Sequence, residues 1–255
     1  NYGVFAATEA DEVGRDFYAL RGTRDFEHQG IGAMFTRVRH PFLDREADVY
    51  EFDHRWTPNQ KLAVRTTLVG SDIEQAGQHT RDVAFTSIAQ KTFGKGWSLT
   101  GLLIHYGEDF EVNDAGYLGR NDLNYAQFEV GKRITDLPEE SAYSSHNQRF
   151  RIEGMQNNDG LWLQRQFRWN GNSQRRDGGN LNWNLQLRTP AYDDQITRGH
   201  GPMYVRNGGN AYLYRGYPRR GNWQFGIDAS VGVASGLRQD TPYAWSVSAT
   251  GTWYI

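Results

Sequence analysis

The chain contains no cysteine, so disulfides, thiolate chemistry and cysteine-ligated zinc are excluded. Proline is scarce, at 7 of 255 residues. Neither sign of charge dominates: 28 Lys and Arg stand against 30 Asp and Glu, a formal net charge of −2. No global basic field points to nucleic acid. No apolar run approaches the roughly 18 residues of a membrane helix, which leaves crossing by strands open. Asn1 opens the chain without a signal peptide, and Tyr2, Val4 and Ala6 already alternate with Gly3 and Ala7. The expectation is a processed chain, or part of a longer one with strands beyond both ends.

Aromatic residues are plentiful, at 14%. The mean hydropathy is nevertheless −0.75. That combination is unusual for a soluble enzyme and natural for a sheet whose every second residue meets water. The clearest pattern lies near the C-terminus. Trp223, Phe225, Ile227, Ala229, Val231 and Val233 alternate with Gln224, Gly226, Asp228, Ser230 and Gly232. Tyr243, Trp245, Val247, Ala249, Gly251, Trp253 and Ile255 alternate with Ala244, Ser246, Ser248, Thr250, Thr252 and Tyr254. Successive strand residues point to opposite faces, so one face is apolar with aromatics towards its ends and the other small and polar. A strand crossing a bilayer in a closed barrel has this arrangement.

Strands joined by hairpins are expected at 16–26, 31–39, 48–56, 61–70, 81–93, 96–107, 123–134, 148–156, 161–170, 180–189, 211–217, 222–235 and 243–255. Thr57-Pro58-Asn59-Gln60, Gly94-Lys95-Gly96 and Asn157-Asn158-Asp159-Gly160 mark turns. With the N-terminal segment the count is about 14, without a helix. The fold expected is all-β: an antiparallel up-and-down transmembrane β-barrel, or a large part of one, forming a single domain over residues 1–255. Long polar connections are expected at 108–122, 135–147 and 190–210.

The polar faces supply candidate lumen-lining residues. Arg149, Arg151, Glu153, Gln164, Gln166 and Arg168 would share one wall. They read first as Arg–Glu pairing in a wet wall, and second as a locally basic surface that attracts anionic solutes. Asn180, Asn182, Asn184 and Gln186 form an amide ladder. It reads first as generic wall, and second as a site for hydroxyl-rich solutes such as sugars. Trp97, Trp183, Trp223, Tyr243, Trp245 and Trp253 are candidates for the membrane-interface belts, where amphipathic rings sit at the headgroups.

Other constellations are weaker. The acidic stretch Glu108, Asp109, Glu111, Asn113 and Asp114 lacks EF-hand spacing and reads as a solvated loop. Arg175, Arg176 and Asp177 read as a solvated hairpin end, with lipopolysaccharide phosphates as the other partner considered. Ser144-Ser145-His146-Asn147 has hydrolase residue types, but neighbours on one strand do not form a triad. Gly-x-Ser-x-Gly, His-Glu-x-x-His and P-loop motifs are absent. Catalysis, cofactors and a metal are not expected.

Tyr2 to Glu9, Gly14-Arg15-Asp16-Phe17, Gly30 to Thr36 and Asn113 to Asp122 carry a family likeness. These stretches resemble an uncharacterised family of bacterial outer-membrane barrels, usually found C-terminal to a β-sandwich like a carbohydrate-binding module. That sandwich is not in this chain. The resemblance implies an outer-membrane location and a link to glycan or nutrient handling, and it brings no catalytic residues. The expected function is a polar-lined channel for small polar solutes. Its partners would be outer-membrane lipid and lipopolysaccharide, with glycan or other envelope proteins at the loops. Two alternatives stay open: a plugged barrel serving as a binding or assembly scaffold, and a soluble β-sandwich or enzyme.

Overall fold

The computed structural model describes residues 1–9, 14–233 and 243–254. Its strands are β1 (Tyr2–Thr8), β2 (Asp16–Asp25), β3 (Gln29–His40), β4 (Arg45–Asn59), β5 (Leu62–Gln75) and β6 (Gln78–Thr92). They continue as β7 (Trp97–Tyr106), β8 (Leu123–Ile134), β9 (Tyr143–Gln156), β10 (Trp162–Arg175) and β11 (Asn180–Arg188). The last are β12 (Ala191–Asp193), β13 (Met203–Val205), β14 (Gly208–Gly216), β15 (Trp223–Val233) and β16 (Tyr243–Trp253). Fourteen of them form one antiparallel sheet in chain order, interrupted only by the separate β12–β13 hairpin. Among the described residues, β1 and β16 each pair on one side alone. The expected strand residues 234, 235 and Ile255 lie outside the described residues.

The expected strands exist, and most run longer than their alternation indicated. β4 continues through Pro58, where the register shifts between Trp56 and Asn59. Proline donates no ladder hydrogen bond, and an irregularity is where a sheet tolerates that. β5 and β6 meet at Ala76-Gly77, both with positive φ (51° and 75°). That is the handedness a two-residue hairpin needs, but alanine carries no turn signal. Residues 135–147 are not one loop, because β9 begins at Tyr143. Residues 190–210 hold β12, β13 and the start of β14, with Tyr192 edge-on to Tyr204 at 5.6 Å.

Two compact units divide the chain. The first comprises residues 1–91, 101–126 and 156–160. Its register sets Val4, Leu20, Phe35, Tyr50, Gly70 and Val83 in one row across β1–β6. Ala33, Phe52, Leu68 and Phe85 form the next row. This apolar face turns ionic towards one end, where Arg37 pairs with Asp48 and Arg39 with Glu46 (2.6 Å). The opposite face carries Val38, Ala47, Ile73 and Ala84, all buried. Residues 107–122 fold onto that face and bring Phe110, 3% exposed, into the same core.

The second unit comprises residues 92–100, 127–155 and 161–255. Trp169, Leu185, Ala211, Val231 and Trp245 form one apolar row across β10, β11, β14, β15 and β16. Gly171, Trp183, Leu213, Ala229 and Val247 form the next. A side chain at Gly171 would collide with the Trp183 ring, which lies across it. Because the strands alternate in direction, connection 135–142 leaves one end of this unit's sheet and 189–207 the other.

Candidate functional site

The sheet register and side-chain hydrogen bonds gather the proposed wall residues of the second unit onto its polar face. Arg168 lies opposite Gln186, and Asn170 and Asn172 lie opposite Asn184 and Asn182. Asn180 ends the row opposite Gln174. A relay of hydrogen bonds joins three strands. Gln164 donates to Glu153 at 3.0 Å, Gln166 donates to the same carboxylate oxygen, and Gln186 donates to Gln166 at 2.6 Å. Gln166 is only 7% exposed, and these bonds satisfy its amide.

Arg151 is held by Glu129 at 2.7 Å, with Glu153 at 3.8 Å. Its charge is therefore balanced within the wall. Arg149 has no hydrogen-bond or ion-pair partner among the described residues. It borders a cleft of about 330 Å3 whose other polar groups include Asn147, Asn170, Asn172, Asn182 and Asn184, with Tyr212 alongside. Asn147, Asn170, Asn172 and Tyr212 were not among the sequence candidates. The alternation that selected the ladder on β11 also places Asn170 and Asn172 on this face, once strand β10 is extended to Arg175.

The six belt candidates occupy different settings. Trp223 meets Trp253 edge-on at 4.6 Å, and Phe225 stacks beside Trp223 at 6.0 Å. Tyr243 and Trp245 lie at the other end of the same face. At about 3.3 Å per residue, Trp245 and Trp253 are about 26 Å apart along the strand. Trp97 begins β7 with the Lys132 ammonium 4.8 Å above its ring. Trp183 is packed against Trp169 at 5.9 Å, and Trp169 stacks on Phe150 at 5.7 Å. It thus belongs to an aromatic cluster across neighbouring strands.

The acidic stretch is solvated in part, with Glu108, Asp109 and Asn113 exposed, but it is also anchored to the sheet. Arg45, on the polar face of β4, holds Asp114 at 2.7 Å and Glu111 at 3.2 Å. The Glu111 amide donates to Ser71 at 3.3 Å, and the Asp109 amide to Asp82 at 2.9 Å. Among the described residues, no group of three or more His, Asp or Glu is placed to hold a metal ion. The Arg175 guanidinium and the Gly179 amide, in that order, hold the Asp177 carboxyl at about 2, below its ordinary 3.8. Arg176 donates to the carbonyls of Leu137, Pro138 and Ser141, tying its hairpin to connection 135–142. Ser144 and His146 lie within β9, bonded to the Gln174 carbonyl and the Ser173 hydroxyl.

Sequence reasoning missed a charged cluster on the polar face of the first unit. Arg21 bridges Glu51 (3.2 Å) and Asp53 (3.1 Å), while Arg55 takes Asp25 at 2.8 Å. Asp53 lies over Gly32, where any larger residue would collide with its carboxylate. Arg55 stands directly opposite Arg65. Odd-numbered charges on β2 and β4 were the available signal, but their union depends on the strand register.

No family model matches the chain, and no curated protein matches it. One solved structure, described as "Unveiling the Mechanism Behind the in-meso Crystallization of Membrane Proteins", is similar over 100% of this chain and 83% of its own, at 10% identity and a TM-score of 0.26. A likeness at that level has no bearing on fold or function.

Proposed function

We propose that these strands form, or contribute to, an outer-membrane β-barrel that passes small polar solutes through a polar-lined lumen. The observation that carries this reading is the exposed apolar face of β15 and β16. Trp245 is 78% exposed and Val247 65%, opposite Val231 and Ala229 respectively. In water such a face would drive association. Against lipid it is the required surface, with aromatic residues towards both ends of a span of roughly membrane thickness. Backbone groups at an open edge have no partners in lipid, so the reading requires closure of the sheet.

In this reading the mechanism is passive. Arg149 and the amides around it offer donors and acceptors to a hydrated, hydroxyl-rich solute, and the paired Arg151, Glu129 and Glu153 hold the wall in shape. The resemblance of residues 2–9, 14–17, 30–36 and 113–122 to outer-membrane barrels fits the same reading. One observation favours a plugged variant: residues 107–122 cover part of the polar face of the first unit.

The deciding experiment is gel mobility of detergent-extracted protein, with and without boiling, followed by conductance in planar bilayers. A heat-modifiable band with solute-permeable channels supports the channel. A heat-modifiable band without conductance supports the plugged scaffold. A freely soluble protein with no shift refutes both.

A further inference from the structure

Two clefts adjoin on the polar face of β2–β6, within the first unit. One, of about 420 Å3, contains the charged cluster. The other, of about 360 Å3, lies between that face and residues 107–122 and is lined by Met34, Val49, Val69, Phe110 and Val112. One cleft is thus ionic and the other largely apolar, and Glu51 and Thr67 form their common border.

In the ionic cleft the charges close on one another except at a single residue. Arg21 engages Glu51 and Asp53, and Arg55 engages Asp25. Arg65 lines the same cleft without a hydrogen-bond or ion-pair partner among the described residues. It faces Arg55 across the strand pair, and like charges so placed repel. An anion at Arg65 would relieve that repulsion. β5 runs through both clefts, presenting Arg65, Thr67 and Val69 in succession on this face. Each two-residue step is about 7 Å, so the backbone positions of Arg65 and Val69 are about 13 Å apart, a gap that the Arg65 side chain and a ligand span together.

We infer that this face binds a small organic carboxylate with a compact apolar body. The carboxylate sits on Arg65, whose planar guanidinium matches it with two parallel hydrogen bonds. The apolar body lies under residues 107–122, against Val69 and Phe110. A single free guanidinium beside the carboxylates of Asp25, Glu51 and Asp53 suits one negative charge, not two. The inference stands on the clefts alone and does not depend on the protein crossing a membrane.

The test is calorimetric titration of the full chain, in detergent if the protein requires it and otherwise in buffer. The probes are 3-phenylpropanoate, 3-phenylpropan-1-amine and acetate. Phenylpropanoate should bind tightest, with a Kd of about 1 mM or below, and the other two at least about tenfold weaker. Arg65→Gln should lower phenylpropanoate affinity about tenfold, to the level of the amine. Arg206→Gln, at an exposed position between β13 and β14, should leave it unchanged. Circular dichroism establishes that each variant folds. Equal binding of amine and carboxylate, undiminished binding by folded Arg65→Gln, or no binding by the wild type at about 10 mM ligand would each overturn the inference. The wild-type ligand series decides it even if Arg65→Gln does not fold. A soluble protein that binds phenylpropanoate would refute the membrane proposal and leave this one standing.

Discussion

Single residues set the local geometry by what they do or do not place on each face. Gly32 leaves the space that Asp53 occupies, and Gly171 leaves the space for the Trp183 ring. The hairpin carboxylate Asp177 shows a charge effect at the same scale. Its folded-state pKa of about 2 lies below the ordinary 3.8 because Arg175 and the Gly179 amide stabilise the anion. The sign follows by linkage. This contribution to hairpin order is fully present above the ordinary value and is lost as pH falls through about 2. NMR titration of the Asp177 carboxyl should give a midpoint near 2, and Arg175→Ala should return it towards 3.8. A wild-type midpoint already at 3.8 would show that the pair does not form in solution.

At the scale of elements, residues 107–122 depend on Arg45. Both Arg45 and Asp114 side chains are 14% exposed, so the pair is mostly withdrawn from water. Arg45→Ala leaves the Asp114 and Glu111 carboxylates without their cation against the sheet face. The expected cost is about 2 kcal/mol, below the figure for a fully buried pair because some solvent remains. That corresponds to roughly a thirtyfold rise in local opening. Hydrogen exchange at the Asp109 and Glu111 amides should accelerate accordingly, with the exchange of β4 and β5 unchanged. Unaltered exchange at those two amides would show that Phe110 and its neighbours suffice to hold the segment.

For the whole molecule, the question is whether the apolar faces meet lipid. Ala229 lies one residue from the centre of β15, between Leu213 and Val247, while Ser230 faces the other way and bonds to Ser246 at 2.7 Å. If the apolar face is the lipid face, Ala229→Arg puts a charge near the bilayer midplane at a cost of about 2–4 kcal/mol. Ser230→Arg puts it in a hydrated space. Assembly into vesicles, read as the heat-modifiable fraction, should fall sharply for the first and little for the second. Equal tolerance would contradict the proposed assignment of faces.

Strand existence was legible because alternation is a local property: each segment such as 180–188 or 223–233 carries its own two-residue period. The gathering of Arg149, Gln166 and Asn184 on one face was within reach for the same reason. Strand ends were less legible, since Ala76-Gly77 bears no turn signal in its first residue and Pro58 argues against the strand that contains it. The fold of residues 107–122 was not legible at all. Arg45 and Asp114 are 69 residues apart, and the acidic stretch looks solvated until the strands bring its cation beneath it. The charged cluster of β2, β4 and β5 likewise exists only once the register sets Arg55 opposite Arg65. Periodicity, being written into neighbouring residues, specifies which face a side chain takes. Register and loop placement arise from contacts between distant segments, and those alone bring charges and apolar surfaces into one site.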